Sequence, residues 1–265
     1  MNSQSAKKTR VCECTNSARV TGDTVRLEFF WPGPAPLPGQ FFLIKPWRTG
    51  VFLARPISVA GWKPGKQTDK QRIESGGTVR FLVAIKGRGS RELAFMRPGE
   101  EAELSGPLGN SWPIELIPKG PAALVAGGIG IAPLLALATE LGKESAGLVF
   151  DFYAGFRSGA FGQKLKARAI IIATEDGSQG LKGRVTDFFK PSGYKMVFAC
   201  GPAPMLKTVA DICKAGGVPC FVSVEKHMAC GVGACLGCTV KTTGGNRRCC
   251  VDGPVFNAEE IQFED

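Results

Sequence analysis

Short runs of apolar and β-forming residues, each closed by a breaker, fill the chain from residue 10 to about 105. They predict strands over 10–20, 24–30, 40–44, 55–61, 78–85 and 101–104. The breakers are Pro32-Gly33-Pro34-Ala35-Pro36-Leu37-Pro38-Gly39 and Lys63-Pro64-Gly65. Many short strands with turn chemistry between them predict a small antiparallel barrel. Residues 66–77 are polar, carry Gly76-Gly77 and read as a mobile hairpin tip. After Gly106-Pro107-Leu108-Gly109 the pattern changes. Apolar runs at 122–126, 148–153, 169–173, 196–199 and 220–224 read as strands, and 132–141, 160–167, 184–189 and 204–215 as helices. Strands alternating with helices predict a parallel sheet covered by helices. The fold class is therefore a β barrel plus α/β, with a cysteine-bearing tail as a C-terminal appendage. The expected domains are 1–106, 107–224 and 225–265.

Two turns in the second half carry nucleotide chemistry. Gly127-Gly128-Ile129-Gly130 follows a strand and opens a helix, which points backbone N–H groups at a pyrophosphate. Cys200-Gly201-Pro202-Ala203-Pro204-Met205 also stands between a strand and a helix. Ligands of open α/β sheets bind outside the carboxyl ends of strands, so both turns belong on one edge. Glycine turns also simply join strands to helices, so neither turn is specific alone. In the barrel region Arg55-Pro56-Ile57-Ser58 puts a guanidinium and a hydroxyl on one strand, a pairing that suits phosphate. Lys86-Gly87-Arg88-Gly89-Ser90 lets a phosphate approach the backbone closely.

Composition narrows the classes. The 265 residues are 44% hydrophobic and 21% charged, as in a globular protein of two domains. The net charge of +10 is spread along the chain with no recognition motif, which argues against nucleic acid and for phosphate-bearing cofactors or an acidic partner. No secretory signal is visible, and no apolar run approaches the ~20 residues needed to span a bilayer. These features predict a cytoplasmic protein without membrane insertion.

Of ten cysteines, Cys230, Cys235, Cys238 and Cys250 are spaced C-x4-C-x2-C-x11-C, the plant-type spacing for a [2Fe–2S] cluster. Glycines at 231, 233 and 237 suit a loop wrapped around a small inorganic core. A zinc site and a disulfide framework are the alternatives. Zinc more often uses paired C-x2-C ligands, and disulfides are rare in the cytosol. A Rieske centre needs two His ligands, and the chain has only His227. Adjacent side chains in an extended segment face opposite ways. Cys250 is therefore taken as the fourth ligand and Cys249 as a bystander. Cys12, Cys14, Cys213 and Cys220 read as ordinary core or loop thiols.

These pieces occur in the order barrel, Arg-Pro-Ile-Ser, Gly-Arg-Gly-Ser, Gly-Pro-Leu-Gly, Gly-Gly-Ile-Gly, Cys-Gly-Pro, cysteine loop. That order resembles the ferredoxin–NADP reductase superfamily, and within it the electron-transfer subunits of NAD-dependent (type B) dihydroorotate dehydrogenases. The resemblance implies FAD on the barrel, at Arg55, Pro56, Ile57, Ser58, Leu82, Val83, Ala84, Gly89 and Ser90. It implies NAD(H) at Gly127, Gly128, Gly130, Gly201 and Pro202, with Cys200 near the nicotinamide as packing rather than nucleophile. It implies a [2Fe–2S] cluster on Cys230, Cys235, Cys238 and Cys250. It also implies an FMN-containing dihydroorotate dehydrogenase catalytic subunit or similar flavoprotein as partner, a heterotetramer, and a role in pyrimidine biosynthesis. Ser90 stands where many relatives have Thr, the 63–77 insertion is long, and Cys249 is unexpected. Arg157-Ser158 leaves the choice between NAD and NADP open. Two other readings remain: an NAD(P)H-oxidoreductase electron-transfer subunit of another complex (glutamate-synthase-like, sulfide dehydrogenase or hydrogenase), and a non-catalytic zinc and nucleotide-binding module.

Overall fold

A computed structural model describes residues 8–47, 50–65, 76–143, 148–160 and 165–263. Most of the expected hairpin tip and the middle of the helix expected over 160–167 lie outside these residues.

Six strands close an antiparallel barrel in the order β1-β2-β5-β4-β3-β6. They are β1 (Thr9–Arg19), β2 (Thr24–Trp31), β3 (Phe41–Pro46), β4 (Arg55–Pro64), β5 (Gly77–Ala84) and β6 (Glu101–Leu108). The alternation along β2 explains its place. Val25, Leu27, Phe29 and Trp31 are buried, while Arg26 and Glu28 face outward. Inside, the Phe42 ring meets Trp31 at 5.0 Å and Phe81 at 5.6 Å, both edge to face. Each large apolar side chain buried this way contributes about 1.5–3 kcal/mol. Outside, Glu28 lies opposite Arg80 across β2 and β5 and accepts from its Nε at 2.7 Å. A short helix, α1 (Arg88–Ala94), follows β5.

The second unit is a seven-stranded sheet in the order β10-β9-β8-β7-β11-β12-β15. Its parallel strands are β7 (Ala122–Gly127), β8 (Phe150–Phe156), β9 (Ala169–Thr174), β10 (Leu181–Lys182), β11 (Met196–Cys200) and β12 (Cys220–Ser223). Strands β7 and β11 are buried throughout, as a parallel strand covered on both faces must be. Leu124 faces α2 (Ile131–Leu141), while Val125 faces α3 (Val185–Phe188) and α4 (Ala203–Ala215). Barrel residues Ala60 and Leu82 share the core of α2, so barrel and sheet are joined by one apolar cluster.

The cysteine tail is not an appendage. It forms a hairpin, β13 (Thr239–Thr242) and β14 (Gly245–Arg248), and then returns as β15 (Val255–Asn257). That last strand pairs antiparallel with β12, placing Ser223 opposite Val255. It covers an edge that would otherwise present unpaired backbone groups.

Candidate functional site

The two glycine turns meet at the carboxyl edge of the sheet. Ala126 lies opposite Cys200 in the β7–β11 register, so the turns that follow them are neighbours. A Cβ on Gly130 would overlap the Cys200 carbonyl, and one on Gly201 would come within 3.0 Å of the Gly127 backbone. The turns therefore interlock only as glycine. Gly128 differs: its φ is +53° and nothing lies within 4 Å of where a Cβ would stand. It opens onto free space at the N-terminus of α2, where amides and the helix dipole favour an anion. Pro202 caps α4 from the neighbouring turn. Cys200 is buried beside Ser223, and burial, with Glu225 adding to it, pushes its thiol well above the usual range. Such a thiol packs rather than attacks. Two strands out, at the end of β9, a cleft of about 430 Å³ is lined by Glu175, Gly183, Arg184 and Asp187.

On the barrel, Arg55, Pro56, Ile57 and Ser58 form the start of β4 and stay half-buried, leaving one stretch of wall open. The structure brings this stretch to the α1 turn. A Cβ on Gly89 would collide with the Arg55 guanidinium, whose Nη1 also donates to the Leu53 carbonyl at 2.5 Å. Ser90 Oγ accepts from the amides of Lys86 and Gly87 at 2.8 and 3.0 Å, fixing the turn. Leu82 and Val83 are placed differently. Leu82 is buried against α2 and Val83 in the barrel, so their side chains do not line an open surface; Ala84 is half-buried.

The cysteine loop gathers its thiols in two pairs. Cys230 interacts with Cys235, and Cys238 with Cys250. Among the described residues, no group of three or more His, Cys, Asp or Glu side chains converges as on a single ion. Two thiols to each of two centres is the donor set that a two-iron cluster needs. Backbone amides face the sulfurs: Val232 and Cys235 donate to Cys230 Sγ at 3.4 and 3.5 Å, and Gly233 to Cys250 Sγ at 3.2 Å. Burial works against the Cys230 thiolate, but the amides of Val232, Cys235 and Ala234 outweigh it and bring the thiol down to about 6. Burial, with the neighbouring Cys238 thiol adding to it, pushes Cys250 up to about 12, a sulfur that a bound cation would favour as thiolate. Gly231 and Gly233 have φ of +68° and +76°, and Leu236 takes +58°, unusual for a branched residue. Cys249 turns the other way, fully buried, and donates to the Val224 carbonyl at 3.2 Å.

This loop is fixed to the barrel wall. A Cβ on Gly231 would come within 2.7 Å of Leu43 on β3, and Leu43 lies opposite Pro56 on β4. Phe41, Leu43, Leu108, Cys238, Cys250 and Phe256 share one buried cluster. Asn110 clamps the tail to the end of β6. Its Nδ2 donates to the Val255 carbonyl at 2.7 Å, and its Oδ1 accepts from the Val255 amide at 2.9 Å. Sequence reasoning missed Asn110, whose only signal was its place after Gly-Pro-Leu-Gly. It also missed Arg248, which is bound to Asp252 beside Cys250.

Residues 225–262 match the family described as the iron–sulfur cluster binding domain of dihydroorotate dehydrogenase B. The chain is 41% identical over 231 residues to the dihydroorotate dehydrogenase B (NAD(+)) electron transfer subunit of Clostridium acetobutylicum, covering 86% of this chain and 87% of that protein. It is 44% identical over 228 residues to the same subunit of Clostridium perfringens, covering 85% and 87%. The chain belongs to that family. Membership accounts for the order of barrel, sheet and cysteine tail along one chain. A solved NADH-dependent reduced ferredoxin–NADP oxidoreductase is similar across 96% of this chain and 90% of its own, with TM-score 0.81 and 28% identity. The ferredoxin reductase of carbazole 1,9a-dioxygenase shares the fold, with TM-score 0.66 and 21% identity over 82% of this chain and 68% of its own. The family, the fold and the donor set agree on FAD, NAD and a [2Fe–2S] cluster as the cofactors.

Proposed function

We propose that this chain is the electron-transfer subunit of an NAD-dependent dihydroorotate dehydrogenase, passing electrons between an FMN-containing catalytic subunit and NAD. One observation carries the reading. The cysteine loop rests on Leu43, and Leu43 is the cross-strand partner of Pro56 in the half-buried stretch proposed for flavin. Bound there, FAD exchanges hydride with nicotinamide and single electrons with the iron–sulfur cluster.

The residues divide the work as follows. Arg55 offsets phosphate charge, and Gly89 makes room for its guanidinium. Backbone groups of Leu82, Val83 and Ala84, with the Ser90 turn, border the flavin. Gly127, Gly128 and Gly130 receive the pyrophosphate of NAD(H), with Gly201 and Pro202 shaping the wall and Cys200 excluding water near the nicotinamide. The cleft lined by Glu175, Arg184 and Asp187 leaves room for the far end of a dinucleotide. Cys230 and Cys235 hold one iron; Cys238 and Cys250 hold the other. Residues 1–106, 107–224 and 225–265 carry FAD, NAD(H) and the cluster in turn. Cysteines that form no disulfide among the described residues fit the reducing cytoplasm. Among the described residues no helix is long and apolar enough to cross a membrane.

The test is reconstitution. The chain alone should reduce an artificial one-electron acceptor with NADH and leave dihydroorotate untouched. Adding an FMN-containing catalytic subunit should create NAD-linked dihydroorotate oxidation. Conversion of dihydroorotate by the chain alone would refute the division of labour.

A further inference from the structure

One permanent positive charge is built against the cysteine loop. Arg248 ends β14, two residues before Cys250. Asp252 holds it in place: the carboxylate accepts from the Arg248 amide at 2.7 Å and from Nε at 3.2 Å, with Nη2 at 3.4 Å from its other oxygen. Nη1 and Cδ of Arg248 lie 3.3 and 3.5 Å from where a Gly233 Cβ would stand. The Gly233 amide donates to Cys250 Sγ. The guanidinium therefore lies beside the residue whose amide hydrogen-bonds a sulfur of the second pair.

We infer that Arg248 is a positioning residue that sets the reduction potential of the iron–sulfur cluster, with Asp252 as its counterweight. The inference rests on Cys230, Cys235, Cys238 and Cys250 being the ligands. Reduction adds one electron and one negative charge to the cluster and removes nothing from the protein. A fixed cation beside it favours the reduced form, and a fixed anion opposes it. The half-exposed guanidinium is partly screened by solvent, but it occupies the space beside Gly233 that a side chain there would need.

The pair makes two predictions of opposite sign. Arg248→Gln removes the cation and leaves a bare carboxylate, so the potential falls. Asp252→Asn keeps the guanidinium and removes its counter-charge, so the potential rises. A shift of about tenfold in the one-electron equilibrium corresponds to ~59 mV. A residue that merely braced the loop would move both variants the same way.

The experiment is an anaerobic redox titration of the cluster-loaded chain, followed by EPR of the reduced cluster, with iron and sulfide measured on each sample. Opposite shifts support the inference. Unchanged potentials, or shifts in one direction, overturn it. If Arg248→Gln fails to retain iron, Asp252→Asn decides alone: a rise supports the inference, and no change or a fall overturns it. Wild-type chain without iron or sulfide would instead refute the ligand assignment beneath it.

Discussion

The nucleotide turns and the cysteine loop are both rich in glycine, for different reasons. At 127–130 and 200–202, most glycines are required by neighbours: Gly130 meets the Cys200 carbonyl, and Gly201 meets the Gly127 backbone. The sheet register imposes those contacts, so the edge is shaped before any ligand arrives. In the cysteine loop, Gly231 and Gly233 are required by their own positive φ as well as by the side chains of Leu43 and Val251, and even Leu236 is drawn into positive φ. That loop gathers its thiols as two pairs, the arrangement proposed to hold the cluster. On the proposed ligand set, one site is made by the fold and the other would be completed by the group it binds. Ligand-side changes should therefore destroy the second site and only weaken the first.

The largest effect should come from Cys250→Ser. It should abolish the cluster, seen as loss of iron and acid-labile sulfide, while NADH still bleaches bound flavin. Simultaneous loss of flavin reduction would mean that the two sites are not separable.

Gly130→Ala should act more mildly. Its methyl group must displace the Cys200 backbone, an overpacking strain of about 1–3 kcal/mol. The Kd for NADH should rise roughly tenfold, the equivalent of ~1.4 kcal/mol, with iron content unchanged. An unchanged Kd would show that the interlocked turns are not the NAD site.

Cys249→Ser should do least. Its thiol faces Val224, a hydroxyl can donate to the same carbonyl, and the cost should stay near 1 kcal/mol. Chemical denaturation measures that cost, and iron analysis should show a full cluster. Loss of iron here, with retention in Cys250→Ser, would exchange the roles of the two cysteines.

Much of this was legible in the chain because period and spacing carry it. The breakers between short strands marked the barrel, and the glycine turns fell at the ends of β7 and β11. The alternation rule separated Cys249 from Cys250, which do face opposite ways. What escaped lacked a local signal. Strand β15 is three residues long and pairs only because β12 has a free edge. Asn110 reaches partners 142 and 145 residues away. Helix α1 was hidden in Lys86-Gly87-Arg88-Gly89-Ser90, where Ser90 caps a turn that the glycines disguise as loop. Arg248 looked like one basic residue among many until the fold laid it beside Gly233.

The contact of the cysteine loop with the barrel wall proposed for flavin is the central claim, and anaerobic addition of NADH to the chain loaded with FAD and iron–sulfur cluster tests it most directly. The account predicts that flavin absorbance bleaches and that the EPR signal of a reduced [2Fe–2S] cluster then appears in the same molecule without any partner. Bleached flavin beside a cluster that stays oxidised would contradict it.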